Sequence, residues 1–238
     1  MAHHFVLIHG SWHGGWCWDG VVAALARRGH GAEAPTLPGC DGRPSQTVTF
    51  AHLATAVREA VLRAPQAAIL VGHSSAGILL QTIAPTVAYR LHRIVFLAGI
   101  VVEDGKTLNE MLPPDAAAAN VARARASGVN ALPVDDAFVR SMLFANEPEA
   151  ERTAVIDRLT PQPFALYTER YGAAAFDAIA VPKAAIVCTD DHSLGPDGYR
   201  TLARKVLGSP HLIEVPGSHE ALVTNPAAIA DALIRAAG

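Results

Sequence analysis

The sequence predicts an α/β protein: a mostly parallel sheet flanked by helices, with a helical insertion after the strand that ends near Gly99. Short apolar runs are continuous rather than alternating, as strands buried on both faces require. Between those runs, single apolar stripes recur at four-residue spacing, the mark of helices that cover a sheet with one face. From Val101 to about Val181 the strand-like runs stop, and proline and glycine break the chain into short helical patterns.

The first strand is "FVLI" (Phe5–Ile8), and "AAILV" (Ala67–Val71) follows after a helix whose stripe is Leu53, Val57 and Val61. Leu79, Ile83 and Val87 stripe the next helix, before "RIVFLAG" (Arg93–Gly99). Inside the insertion "PPDAAAANVARARA", "DDAFVRSMLF" and "EPEAERTAVIDRL" read as helices. The sheet resumes with "KAAIVC" (Lys183–Cys188) and "HLIEV" (His211–Val215), and Ile229 and Leu233 stripe a final helix. Strand and helix alternate, so the expected organisation is a core of residues 1–100 and 182–238 with residues 101–181 inserted as a lid.

Composition excludes several classes. The chain has 238 residues, of which 50% are hydrophobic and 17% charged, enough to bury a large core. A net charge of −3 without a lysine or arginine run gives no footprint for nucleic acid. No apolar run is long enough to span a bilayer, and "MAHH" leads straight into a strand without a signal-peptide pattern. Cys17, Cys40 and Cys188 are odd in number and far apart, which predicts free thiols and a cytoplasmic address. Homodimerisation through an exposed lid face is possible on this reading, although no residue pattern specifies it.

The chemistry centres on "AAILVGHSSAGILLQTI", where a buried strand runs into a corner of small residues around Ser74. A strand ending at Gly72 and a helix beginning about Ala76 set the Ser74 hydroxyl above the carboxyl edge of the sheet, on a turn that only small neighbours allow. A phosphate-loop reading of Gly72 and Gly77 fails, because Ile78 and Leu79 stand where lysine and serine or threonine belong. Likewise "HGSWHGGW" lacks the spacing of a dinucleotide loop.

A serine hydroxyl needs a base and a group that orients the base. His219, in the loop after the last strand, is the base candidate on the same edge. His73 is expected to point away across the pleat, and His9 to shape the first loop. For the acid, Asp190, Asp191 and Asp104 all follow strands and all remain open. The oxyanion of an acyl-transfer intermediate needs backbone N–H groups, one from Ser75 and one from the first loop, Ser11 or else Trp12. A substrate pocket between sheet edge and lid is expected to use Trp12, Phe138, Met142, Phe144, Phe164 and Tyr167. Neither metal nor organic cofactor is required.

"FVLIHGSWHGGWCW", "GHSSAG", "IVCTDDHSL" and "PGSHEALVTNP" resemble, in order and wording, the α/β-hydrolases, specifically the plant methylesterase and hydroxynitrile lyase branch and its bacterial pyrethroid-hydrolase relatives. The likeness covers both ends of the chain and leaves the lid largely out. It implies the α/β-hydrolase fold, Ser74, Asp191 and His219 as the catalytic triad, and Ser11 and Ser75 as the oxyanion donors. A small ester is the implied substrate. In that family lyases carry threonine and lysine where this chain has Gly10 and Glu220, so the resemblance favours the esterases. A lyase or cyclase on the same scaffold, or a slow-turnover ligand receptor, are the alternatives.

Overall fold

The computed structural model describes residues 1–42, 47–208 and 210–238. Its main sheet has six strands, β1 (His4–Ile8), β2 (Gly31–Glu33), β3 (Ala68–His73), β4 (Leu91–Leu97), β7 (Lys183–Cys188) and β8 (His211–Val215), in the order β2-β1-β3-β4-β7-β8. Every neighbouring pair is parallel. A separate antiparallel ribbon joins β5 (Ala131–Leu132) to β6 (Gln162–Pro163). The expectation of an insertion free of strands is therefore corrected. These two-residue strands are too short to leave a periodic signal.

The continuous apolar runs have a direct cause. Val6, Ile8, Leu70, Ile94 and Phe96 pack on one face of the sheet against the helices Phe50–Arg63 and Gly77–Ile83. Phe5, Leu7, Ile69, Val71, Val95 and Leu97 pack on the other, against Asp19–Arg27 and Pro226–Ala237. Alternate residues thus serve opposite cores, and each fully buried large side chain contributes about 1.5–3 kcal/mol. Leu53, Val57 and Val61 are all buried, as are Ile229 and Leu233. Val87 is buried too, but the predicted helix does not reach it: the α-helix ends at Ile83, and Val87 lies in a kinked 3-10 segment, Ala84–Arg90, that starts with a proline turn.

The insertion carries the helices Pro114–Ala126, Asp136–Phe138 and Glu149–Ile156, close to the predicted segments. Cys17, Cys40 and Cys188 are buried free thiols. Among the described residues no helix is long and apolar enough to cross a membrane. Because the main strands are parallel, their carboxyl ends deliver the loops His9–Trp12, Ser74–Ala76, Ala98–Ile100, Thr189–Ser193 and 216–220 to one edge.

Candidate active site

Ser74 follows β3 directly and holds a φ of 54°, left-handed backbone that a non-glycine residue adopts at a cost of about 1–3 kcal/mol. Packing sustains it. The Ile100 N–H donates to the Ser74 carbonyl at 2.9 Å, and the loop after β4 lies so close that a Cβ on Gly77 would meet the Ile100 carbonyl oxygen at 2.1 Å. On the opposite side, a Cβ on Gly10 would come within 2.8 Å of the Ser74 Cβ, so the first loop can close on the serine only with glycine there.

His219 is buried, and its Nδ1–H donates to Asp191 Oδ2 at 2.6 Å. Asp191 is itself fully buried; its other oxygen accepts from the Ser193 N–H at 2.8 Å and the Ser193 hydroxyl at 2.6 Å. The other two acid candidates are engaged elsewhere. Asp190 accepts from the Gly217 N–H at 2.9 Å, and Asp104 accepts from the Ala173 N–H at 2.8 Å. Burial is the largest influence on His219 and opposes its charge, but the Asp191 charge and hydrogen bond, with the Glu220 charge, outweigh it and raise its pKa above 6.5. Asp191 is lowered despite burial, chiefly by the His219 charge and hydrogen bond.

With Nδ1 committed to Asp191, Nε2 is the ring nitrogen left to face Ser74, and both residues line one cavity. Among the described residues no hydrogen bond joins the Ser74 hydroxyl to His219. In resting enzymes such bonds are often long and tighten once substrate is bound.

Ser75 is the second residue of the 3-10 turn Ser74–Ala76, so its N–H lies where a helix offers no internal acceptor. In the first loop, the Trp12 N–H donates to Gln162 Oε1 at 3.2 Å, whereas among the described residues no hydrogen bond occupies the Ser11 N–H. His9 behaves as a scaffold: its Nδ1–H donates to the Gly10 carbonyl at 2.9 Å and its Nε2 accepts from the Leu37 N–H at 3.0 Å. Burial lowers its pKa to about 4, so the ring is neutral.

His73 corrects the sequence reading. It keeps to its own face of the pleat, but the loop after β8 crosses that face, so its Nε2–H donates to the His219 carbonyl at 3.1 Å and the two rings lie 4.6 Å apart. Burial and the His219 charge lower its pKa to about 3.

Sequence reasoning missed a buried pair beside the site. Glu220 and His13 form an ion pair at 3.3 Å, and His13 Nδ1–H donates to the Ser11 carbonyl at 2.8 Å. Burial opposes the Glu220 charge, yet His13 prevails and holds it at about 2. Ser193 and Tyr199, whose hydroxyls lie 2.9 Å apart against the His219–Asp191 pair, were also unforeseen. Only Ser193 had a local signal, a serine two residues after an aspartate as in an Asx turn. His73, His219 and Glu220 are the described residues close enough together to hold a metal ion. Their commitments to the His219 carbonyl, Asp191 and His13 argue for a protein-internal network instead.

The cavity at this edge has a volume of about 760 Å³, the size that takes a drug-sized molecule. Trp12, Phe138 and Tyr167 line it, with Leu108, Leu132 and Leu202 among the apolar walls. The expected roles of Met142, Phe144 and Phe164 in the pocket are corrected. Met142 is exposed, Phe144 packs with Val139, Val155 and Trp12 in a small cluster between the insertion and the first loop, and Phe164 stacks beside Tyr167.

This fold and this serine corner belong to a known class. Residues 5–232 match the model of the alpha/beta hydrolase family. A carbendazim hydrolyzing esterase of Nocardioides sp. (strain SG-4G) is 31% identical over 242 residues, covering 97% of this chain and 98% of its own. An extracellular alpha/beta-hydrolase from a Paenibacillus species superposes with a TM-score of 0.92 at 26% identity, over 98% of both chains. Polyneuridine aldehyde esterase superposes at 0.81 over the full length of both, and at 19% identity that likeness speaks to the fold. The chain belongs to the alpha/beta hydrolase family.

Proposed function

We propose that the protein is a serine esterase that cleaves a neutral carboxylic ester through an acyl-enzyme. His219 takes the Ser74 proton as Oγ attacks the carbonyl carbon, and Asp191 holds the imidazolium that results. The Ser11 and Ser75 N–H groups receive the oxyanion, the alcohol leaves with the proton from His219, and water then releases the acid by the reverse transfers. One observation carries the reading: a strained serine corner and a histidine bonded at 2.6 Å to a buried carboxylate open into one largely apolar cavity. The esterase relative that is similar over nearly the whole chain supports it.

The cations that line the cavity are already paired, Arg123 with Asp135 at 2.9 Å and Lys205 with Glu103 at 2.8 Å. An uncharged, apolar ester fits better than one with a second carboxylate. Hydrolysis of p-nitrophenyl butyrate and labelling by a fluorophosphonate test the reading. Wild type should do both and Ser74→Ala neither, with kcat at least about 10⁴-fold lower in the variant; a wild type that does neither would refute it.

The pH profile has a definite sign. Catalysis needs neutral His219, and because its pKa is raised, kcat/KM should lose activity on the acid side with a midpoint above 6.5. An acid limb centred below 6 would show that another group governs the rate.

A further inference from the structure

The insertion grips the first loop at several points. The Thr160 N–H donates to the Trp12 carbonyl at 2.8 Å, and Gln162 Oε1 accepts from the Trp12 N–H at 3.2 Å, so both peptide groups of that residue are held from one segment. The Trp12 indole N–H donates to the Leu132 carbonyl at 3.2 Å. Leu132 and Gln162 are cross-strand partners in the β5–β6 ribbon, and the Phe164 N–H donates to the Asn130 carbonyl at 3.0 Å just beyond it. Tyr167, on the following turn Ala165–Thr168, bonds its hydroxyl to Ser11 Oγ at 2.7 Å; Ser11 Oγ in turn lies 2.7 Å from Ser75 Oγ. The hydroxyls of the two residues read as oxyanion donors are thus chained together and tied to the insertion.

Trp12 requires holding. Its φ is 66°, left-handed backbone that a bulky residue leaves unless its surroundings prevent it. Gln162 is buried, so losing its acceptor would strand a buried N–H and remove the restraint together. A donor displaced by about 1 Å can forfeit about 10²-fold in rate.

We propose that Gln162 and Tyr167 are positioning residues: through Trp12 and Ser11 the β5–β6 ribbon and the turn after it aim the Ser11 N–H at the oxyanion. Part of the insertion is then a fixed strut of the catalytic machinery, not a lid free to swing away. The inference rests on the esterase reading of the same site.

The test compares Tyr167→Phe and Gln162→Met with wild type in p-nitrophenyl butyrate turnover, and in inhibition by an aryl trifluoromethyl ketone, which adds the serine hydroxyl to give a tetrahedral oxyanion. Expected is a fall in kcat of about tenfold for Tyr167→Phe and about a hundredfold for Gln162→Met. KM and the acid-limb midpoint should hold, and ketone affinity should weaken in step with kcat/KM. Wild-type kcat and ketone affinity in folded Tyr167→Phe, or a loss confined to KM, would overturn the proposal; that variant removes one oxygen and decides the matter if Gln162→Met does not fold. A wild type that neither turns over the ester nor reacts with a fluorophosphonate fails earlier and refutes the esterase reading itself.

Discussion

Asp191→Asn should lower kcat about 10⁴-fold while the protein stays folded. The reason is directional. Asp191 Oδ1 accepts both the N–H and the hydroxyl of Ser193, so an asparagine there keeps its oxygen on that side and turns its NH2 toward His219 Nδ1. Nδ1 must then accept, the ring proton moves to Nε2, and Nε2 can no longer take a proton from Ser74. The lost carboxylate charge also removes an influence that raises the His219 pKa, so any residual activity should persist to lower pH than in wild type. Steady-state rates across pH, fluorophosphonate labelling rates and a thermal melt measure the three effects. The neighbouring Asp190→Asn is the control: its carboxylate caps the Gly217 N–H, a role that an asparagine oxygen at this exposed position keeps, so stability stays within about 0.5 kcal/mol and kcat within a few-fold of wild type. Equal activity losses in the two variants would remove Asp191 from the role given to it.

That contrast marks how far the sequence could be read. β1, β3, β4 and β7 were visible because both of their faces are largely buried, so every residue of a run such as Ile69–Val71 had to be apolar, whereas the edge strand β8 buries only Ile213 and Val215 and showed through the apolar residues around the exposed Glu214. β2 was not foreseen because Gly31–Glu33 is an edge strand with no buried residue, and nothing in "GAE" signals a sheet. Ser74 and His219 could be read as candidates because each lies just beyond the carboxyl end of a strand that the sequence marks. The acid was not: two adjacent aspartates differ only in which way the loop turns them, and that depends on Ser193 and Gly217. Contacts from the insertion were illegible altogether. Tyr167 and Phe164 carry the same aromatic signal and pack in the same core cluster, yet only Tyr167 meets Ser11 and lines the cavity. The His13–Glu220 pair joins loops distant in sequence, and no local pattern announces a buried charge that only a tertiary partner makes tolerable.

Gly77→Ala should destabilise the protein and slow labelling of Ser74, although local propensity says the reverse. Gly77 has an ordinary helical φ of −53° and begins the helix Gly77–Ile83, where alanine is favoured over glycine by about 1 kcal/mol. Space decides the sign. The added methyl would lie 2.1 Å from the Ile100 carbonyl oxygen and 2.9 Å from its carbon, and neither is the end of a side chain that can swing aside. Either the helix or the Ala98–Ile100 loop must retreat, stretching the 2.9 Å bond from the Ile100 N–H to the Ser74 carbonyl. Overpacking of this kind costs about 3 kcal/mol. Net of propensity, the melting temperature should drop by about 4–8 °C for a chain of this size. The Ser74 backbone holds its strained φ only while that loop restrains it, so fluorophosphonate labelling should slow by about 10²-fold in the folded variant. Ala76, one position earlier, already carries a methyl group, and that methyl is accommodated in the buried apolar core. A Gly77→Ala protein that melts higher than wild type and labels at the wild-type rate would mean that propensity governs this corner and that the loop after β4 does not restrain the serine.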